Sequence, residues 1–176
     1  NDVGGIDVGY MVRSGVTVNG VTQLGKNQIN AFDNSLLHDR PPLQLDAELS
    51  DGRTVSIINV HMRSLSNIDH PSDGDRVRKK RRDQADSIAV MVQGIQDANP
   101  NVNLIVVGDF NAFQFVDGYV DVVGQIMGSP AGATEVLLTA PDRVNPDLSN
   151  QVLSLPADDQ YSFVFQGNAQ VLDHIL

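Results

Sequence analysis

Asp109 and Asn111 stand two positions apart in Val106-Val107-Gly108-Asp109-Phe110-Asn111-Ala112, directly after a β-branched run. A carboxylate in that place can accept a proton or hold a cation, and a neighbouring amide can orient water or a phosphate oxygen. These are the residue types that phosphoester cleavage uses. The same spacing also suits an Asx turn, whose side chains only satisfy nearby backbone N–H groups, and on this segment alone the turn is the favoured reading.

The elements around the pair shift that balance. Leu104 to Val107 reads as a buried strand, with Gly108 permitting a sharp turn at its C-terminal end. Val55 to Val60 reads as a second strand, followed at once by His61 and Arg63. Between them, Gln84 to Ala98 places Ala85, Ile88, Ala89, Val92 and Ile95 on one helical stripe, ended by Asn99-Pro100. Strand, helix and strand make a crossover unit that delivers His61 and Asp109 to the same sheet edge. Further along, Tyr161–Phe165 and Val171–Leu176 flank a Gln166-Gly167-Asn168 turn and read as a hairpin. That places Asp173 and His174 inside an apolar strand, where a buried Asp173 needs a partner. Gly5 to Arg13 alternates like a strand at the start of the chain.

Taken together, Gly5 to Arg13, Arg40-Pro41-Pro42-Leu43, Asn59-Val60-His61-Met62-Arg63-Ser64, Arg82-Asp83-Gln84-Ala85, Gly108-Asp109-Phe110-Asn111-Ala112, Tyr161-Ser162-Phe163 and Leu172-Asp173-His174-Ile175-Leu176 resemble, in order, the endonuclease/exonuclease/phosphatase superfamily. The likeness is greatest to its bacterial secreted nucleases. It implies an α+β fold, the four-layer α/β/β/α sandwich of the DNase I-like type, incomplete at both termini. Residues 1–176 would be a single partial domain, without the N-terminal segment that carries a metal-binding Glu and without the C-terminal Ser-Asp-His strand. His174 is not that strand's catalytic base. Uncovered sheet edges and apolar surface would then call for self-association, strand exchange or a compacted core.

The resemblance also implies roles. Asp109 would position or deprotonate the attacking water and is the one possible metal ligand of the set. Asn111 would hold the water or a nonbridging oxygen, and His61 would donate to the phosphate. Arg63 and Arg40 would add positive charge at the substrate phosphate, and Asp173 would orient the absent catalytic His. The cofactor would be Mg²⁺ or Mn²⁺, with Ca²⁺ as a further option. The activity implied is metal-dependent phosphodiester hydrolysis of DNA or RNA by an extracellular bacterial protein, the isolated chain being close to inactive. A sphingomyelinase or inositol-phosphate phosphatase is the alternative within the superfamily, and a noncatalytic binding domain the alternative outside it.

Composition bounds these expectations. At 176 residues and 41% hydrophobic, the chain can bury one sizeable core. It has no Cys, which excludes disulfides, thiolate metal sites and a Cys nucleophile. No apolar run approaches membrane-spanning length, there is no signal peptide, and the sparse aromatic content offers no membrane-contacting loop. A formal charge of −10 argues against a nucleic-acid binder of the electrostatic kind. Half of the twelve basic residues nevertheless crowd into positions 76–82. That run reads either as a solvated helical turn or as a local phosphate contact, and its opposition to the helix dipole calls for a compensating acid or anion.

Among the loops, Asp69–Asp75 lacks an EF-hand register and reads as a disordered surface excursion. Asp117-Gly118 reads as a site rim or a plain turn, His38 and His70 as surface residues, and Pro141–Pro156 as a long irregular connection.

Overall fold

Alternation of apolar residues along Thr54–His61 (β3) puts Ser56, Ile58 and Val60 on one buried face of a strand. In the computed structural model, which describes residues 5–176, β3 lies third in a five-stranded sheet. Its companions are β1 (Thr17–Gln23), β2 (Leu43–Glu48), β4 (Leu104–Asp109) and β7 (Asp173–Ile175), in the order β1-β2-β3-β4-β7. The β3–β4 pair is parallel and the other three pairs are antiparallel, so the sheet is mixed and the architecture α+β. A separate hairpin of β5 (Phe163–Phe165) and β6 (Asn168–Gln170) precedes β7.

Two helices cover one face of the sheet. α1 (Gly74–Ala98) is the crossover between β3 and β4, and α2 (Val122–Met127) follows β4. Ala85, Ile88, Ala89 and Val92 of the expected stripe are fully buried against Ile58, Val60 and Val106, with Phe110, Val123 and Ile126 closing the cluster. Burial of each large member contributes about 1.5–3 kcal/mol. The opposite face carries Val21, Leu45, Ile57, Val107 and Ile175 by register. Among the described residues it stays partly open, with Val21 and Ile175 about half exposed.

Several expectations are corrected. Gly5 to Arg13 is not a strand: it joins no ladder and is pinned by side chains instead, the Tyr10 hydroxyl lying 2.7 and 2.8 Å from the Leu43 and Ile57 carbonyls and Asn59 donating to the Gly9 carbonyl. The edge strand is β1, whose Gly20 and polar positions hide it from periodicity. α1 starts ten residues earlier than the apolar stripe, over a stretch whose one buried apolar side chain, Val77, gives no period and whose other positions carry ion pairs such as Lys79–Asp75 and Lys80–Asp39. The hairpin partner of Phe163–Phe165 is Asn168–Gln170, which frees Asp173–Ile175 to pair with β4.

The stretch from 69 to 75 is not a disordered loop: Gly74 and Asp75 open α1, and the residues before them are held by hydrogen bonds, Ser72 and Asp73 N–H donating to His70 Nδ1 and the Tyr119 hydroxyl to Asp69. His38 is buried, not superficial: its Nε2 meets Ser87 Oγ at 3.1 Å, and loss of solvent pushes its pKa down to about 4. The stretch from 141 to 156 is irregular apart from a 3-10 turn beginning at Gln151.

Candidate active site

Parallel pairing of β3 with β4 sets His61 directly beside Asp109 at the C-terminal edge of the sheet. Both side chains project to the same side, and His61 Nε2 lies 3.4 Å from Asp109 Oδ2. Two features, one at the end of β4 and one in the turn after it, fix the carboxylate. Gly108 has φ +127°, and a Cβ there would come within 2.1 Å of the Val60 carbonyl oxygen, so only glycine lets β4 pass β3 at this point. Asn111 has φ +48°, a left-handed conformation that Asn tolerates, and its backbone N–H donates to Asp109 Oδ1 at 2.8 Å. The Asx turn foreseen as the plain reading is therefore present, and it orients Asp109 toward His61.

Burial pushes the Asp109 pKa up, against the pull of the Asn111 N–H and of His61, while the neighbouring Asp173 adds to the rise. A carboxylate so shifted is a better proton acceptor than a solvated one. Asn111 Nδ2 donates to the Met62 carbonyl at 3.1 Å, which ties this turn to the loop after β3. Arg40, His61, Arg63, Asp109 and Asn111 all line one cleft of about 590 Å³. Of the six expected site residues, the structure brings these five together.

Asp173 stands apart from that cleft wall. It faces Asp109 across the β4–β7 ladder, but it is exposed rather than buried, and its backbone N–H is held by Ser162 Oγ at 3.1 Å. The buried member of the pair is His174. Its Nε2 lies 2.8 Å from the Ala112 carbonyl oxygen and its Nδ1 3.0 Å from Asn150 Nδ2, partners that assign the neutral tautomer with the proton on Nε2. Burial lowers its pKa, in keeping with a structural histidine that locks β7 to the loop after β4.

Of the far wall of the cleft, sequence reasoning reached only the basic run. Asp33, Asp39, Arg76 and Lys80 line it, with Lys80 Nζ 2.8 Å from Asp39 and Arg76 Nε 2.7 Å from Asp73. The basic run is thus not simply a solvated turn, and Arg76 and Lys80 bring two of its cations to the cleft, where the other reading, a local phosphate contact, would place them. Lys79 pairs with Asp75, Arg82 with Asp83, and Lys80 and Arg81 are almost fully buried. The acid expected to offset the helix dipole is supplied several times over. The only sequence signal for this was the surplus of Asp residues scattered through the chain.

No three His, Cys, Asp or Glu side chains gather as a metal site among the described residues. Asp109 is the expected metal ligand in the cleft, and the described residues bring no two further such side chains together with it as a metal site. No helix among the described residues is long and apolar enough to cross a membrane.

No protein-family model matches the chain, and no curated protein matches its sequence. Solved structures do match. Truncated TDP2 from Caenorhabditis elegans superimposes with a TM-score of 0.55 at 17% identity, over 93% of this chain and 53% of that one. Selenomethionine TDP2 from the same organism gives 0.54 at 18%, over 93% and 41%. ANGEL2, a 2′,3′-cyclic phosphatase, matches more loosely, with a TM-score of 0.48 at 14% identity over 92% of this chain and 55% of that one. The chain spans about half the length of the solved structures it matches, and the likeness is one of fold.

Proposed function

We propose, from the premise that the chain has the DNase I-like fold of the endonuclease/exonuclease/phosphatase superfamily, that the whole protein hydrolyses phosphodiesters and that its substrate is nucleic acid. The observation that carries the reading is the register of β3 against β4, which sets His61 beside Asp109 in a cleft shared with Arg40, Arg63 and Asn111. In this mechanism the Asp109 carboxylate, its basicity raised by burial, orients the attacking water and draws off its proton. His61 donates a hydrogen bond to a phosphate oxygen, and Arg63 and Arg40 offset the charge that builds on the phosphorane. One amide N–H of Asn111 is held by the Met62 carbonyl, which fixes the plane in which the rest of that amide meets water or a nonbridging oxygen. Asp173 orients a histidine that the described residues do not supply.

A divalent cation belongs to the proposal as well, Mg²⁺ or Mn²⁺ before Ca²⁺. It would neutralise a phosphate oxygen and the leaving group, with Asp109 as its ligand from this chain. Secretion and self-association through the partly open sheet face complete the reading, and both rest on the resemblance in sequence.

The second reading, a sphingomyelinase, is favoured by one observation. Phe163, Val164 and Phe165 of β5 are each about half exposed, and the two rings stack. This is an apolar hairpin where the composition suggested none. Incubating the whole protein with labelled DNA, RNA and sphingomyelin, each with Mg²⁺, Mn²⁺ or a chelator, separates the readings. Metal-dependent cleavage of nucleic acid with sphingomyelin untouched is expected. Turnover of sphingomyelin alone would overturn the choice of substrate.

A further inference from the structure

Arg81 is the largest fully buried side chain in the described structure, at 1% exposure, and it engages its two terminal nitrogens while its Nε has no hydrogen-bond partner. Its Nη1 donates to the carbonyl oxygens of Arg63 at 2.6 Å and Asn111 at 2.8 Å, and its Nη2 faces Asp117 Oδ2 at 3.4 Å. The two carbonyls occupy equivalent places. Arg63 lies two residues past His61, Asn111 lies two residues past Asp109, and His61 and Asp109 are register partners. One guanidinium thus bridges the backbones of both strand-end loops at matching positions.

Three residues along the same helix, Gln84 completes the arrangement. Its Oε1 accepts from Arg63 N–H at 2.8 Å and its Nε2 donates to the Leu37 carbonyl at 2.8 Å, reaching the loop that carries Asp39 and Arg40. Burying a guanidinium is costly unless its donors are met, and an apolar side chain would fill the same space more cheaply. What only the planar fork provides is simultaneous hydrogen bonding in fixed directions; the compact ammonium of Lys cannot span two carbonyls in that way.

We propose that Arg81 is a positioning residue of the cleft, holding the His61 and Asp109 loops in the one relative arrangement that receives a phosphate group. This rests on the phosphoesterase reading of the cleft. If Arg81 holds the phosphate-binding arrangement, phosphate must in turn hold Arg81, because coupling between two sites is reciprocal. A purely structural arginine would stabilise the fold without responding to the ligand.

The test is an NMR titration of the 176-residue chain with inorganic phosphate, following backbone amides and the arginine guanidinium signals. Phosphate is expected to shift His61, Arg63 and Asn111, and to slow hydrogen exchange of the Arg81 Nη protons and the Asn111 amide by about fivefold or more. Arg81→Lys should weaken phosphate binding by a similar factor while keeping the helical spectrum. The proposal is overturned if phosphate binds with Arg81 and Asn111 exchange unchanged, or if a folded Arg81→Lys binds it as the wild type does. Should Arg81→Lys fail to fold, the exchange measurement on the wild-type chain decides. Absence of any wild-type shift overturns the reading of the cleft and this proposal with it, an outcome told apart by the silent His61 and Arg63 signals.

Discussion

Asp109 is held in a state that suits chemistry and costs stability. Burial raises its pKa above that of a solvated aspartate, so between the ordinary value and the folded one the native protein binds more protons than the unfolded chain. Stability must therefore fall as pH rises through that window and stay lower above it. Asp109→Asn removes the penalty and keeps an oxygen for the Asn111 N–H. The variant should melt at a higher temperature than the wild type at pH 7, with the difference shrinking as the pH is lowered to the ordinary carboxylate range. Thermal melts of both proteins across that range check it, and a lower midpoint for Asp109→Asn at pH 7 would show that the carboxylate is net stabilising. At this scale the site was partly legible. His61, Asp109 and Asn111 could be picked out because each ends or follows a strand-like run, and the geometry brings them together. Arg81 and Lys80 could not, since their partners Asp117 and Asp39 lie 36 and 41 residues away and nothing in a basic run distinguishes a buried cation from a solvated one.

The parallel β3–β4 pair and the helix that joins them position the site, and Gly108 is the point where that pairing is most tightly constrained. A methyl group there meets the Val60 carbonyl oxygen at 2.1 Å in a backbone conformation that L residues rarely adopt. Gly108→Ala should destabilise the fold by about 3 kcal/mol or more, combining backbone strain with displacement of β4 from β3. Denaturant unfolding of the variant measures this; a loss within about 0.5 kcal/mol, the range of an ordinary surface change, would mean that the turn relaxes freely. Elements with an unmixed apolar period, β3, β4 and the second half of α1, could be read from the sequence because burial on one face dictates their pattern. The first ten residues of α1 could not, because Val77 is their one buried apolar side chain and ion pairs such as Arg76–Asp73 and Lys79–Asp75 carry no apolar period. β7 was legible as a strand, but its pairing with β4, while β5 pairs with the short β6 instead, is not revealed by local pattern.

Over the whole molecule, a net charge of −10 and a basic run engaged in internal ion pairs leave little of the cationic surface on which electrostatic DNA binders rely. Arg78 is engaged too, donating to the Ile68 carbonyl and lying over the Tyr119 ring. With Arg40 and Arg63 as the principal phosphate contacts, raising salt from about 50 to 200 mM should weaken DNA binding by about tenfold, the loss that roughly two phosphate contacts produce. A loss of about a thousandfold would mean that the basic run opens and binds DNA directly. The α+β architecture was legible in the order of strands and helix, and open apolar surface was expected from the resemblance, whereas its place on the second face of the sheet, with Ile175 and Val21 exposed, follows from the strand register.

The central claim is that the β3–β4 register builds a phosphoesterase site around Asp109, and the most direct measurement is cleavage of labelled DNA by the whole protein with and without Asp109→Asn. An amide cannot take a proton from water, so the variant should lose about 10²–10⁴-fold in rate while folding at least as stably as the wild type. Undiminished cleavage by the folded variant would contradict the account.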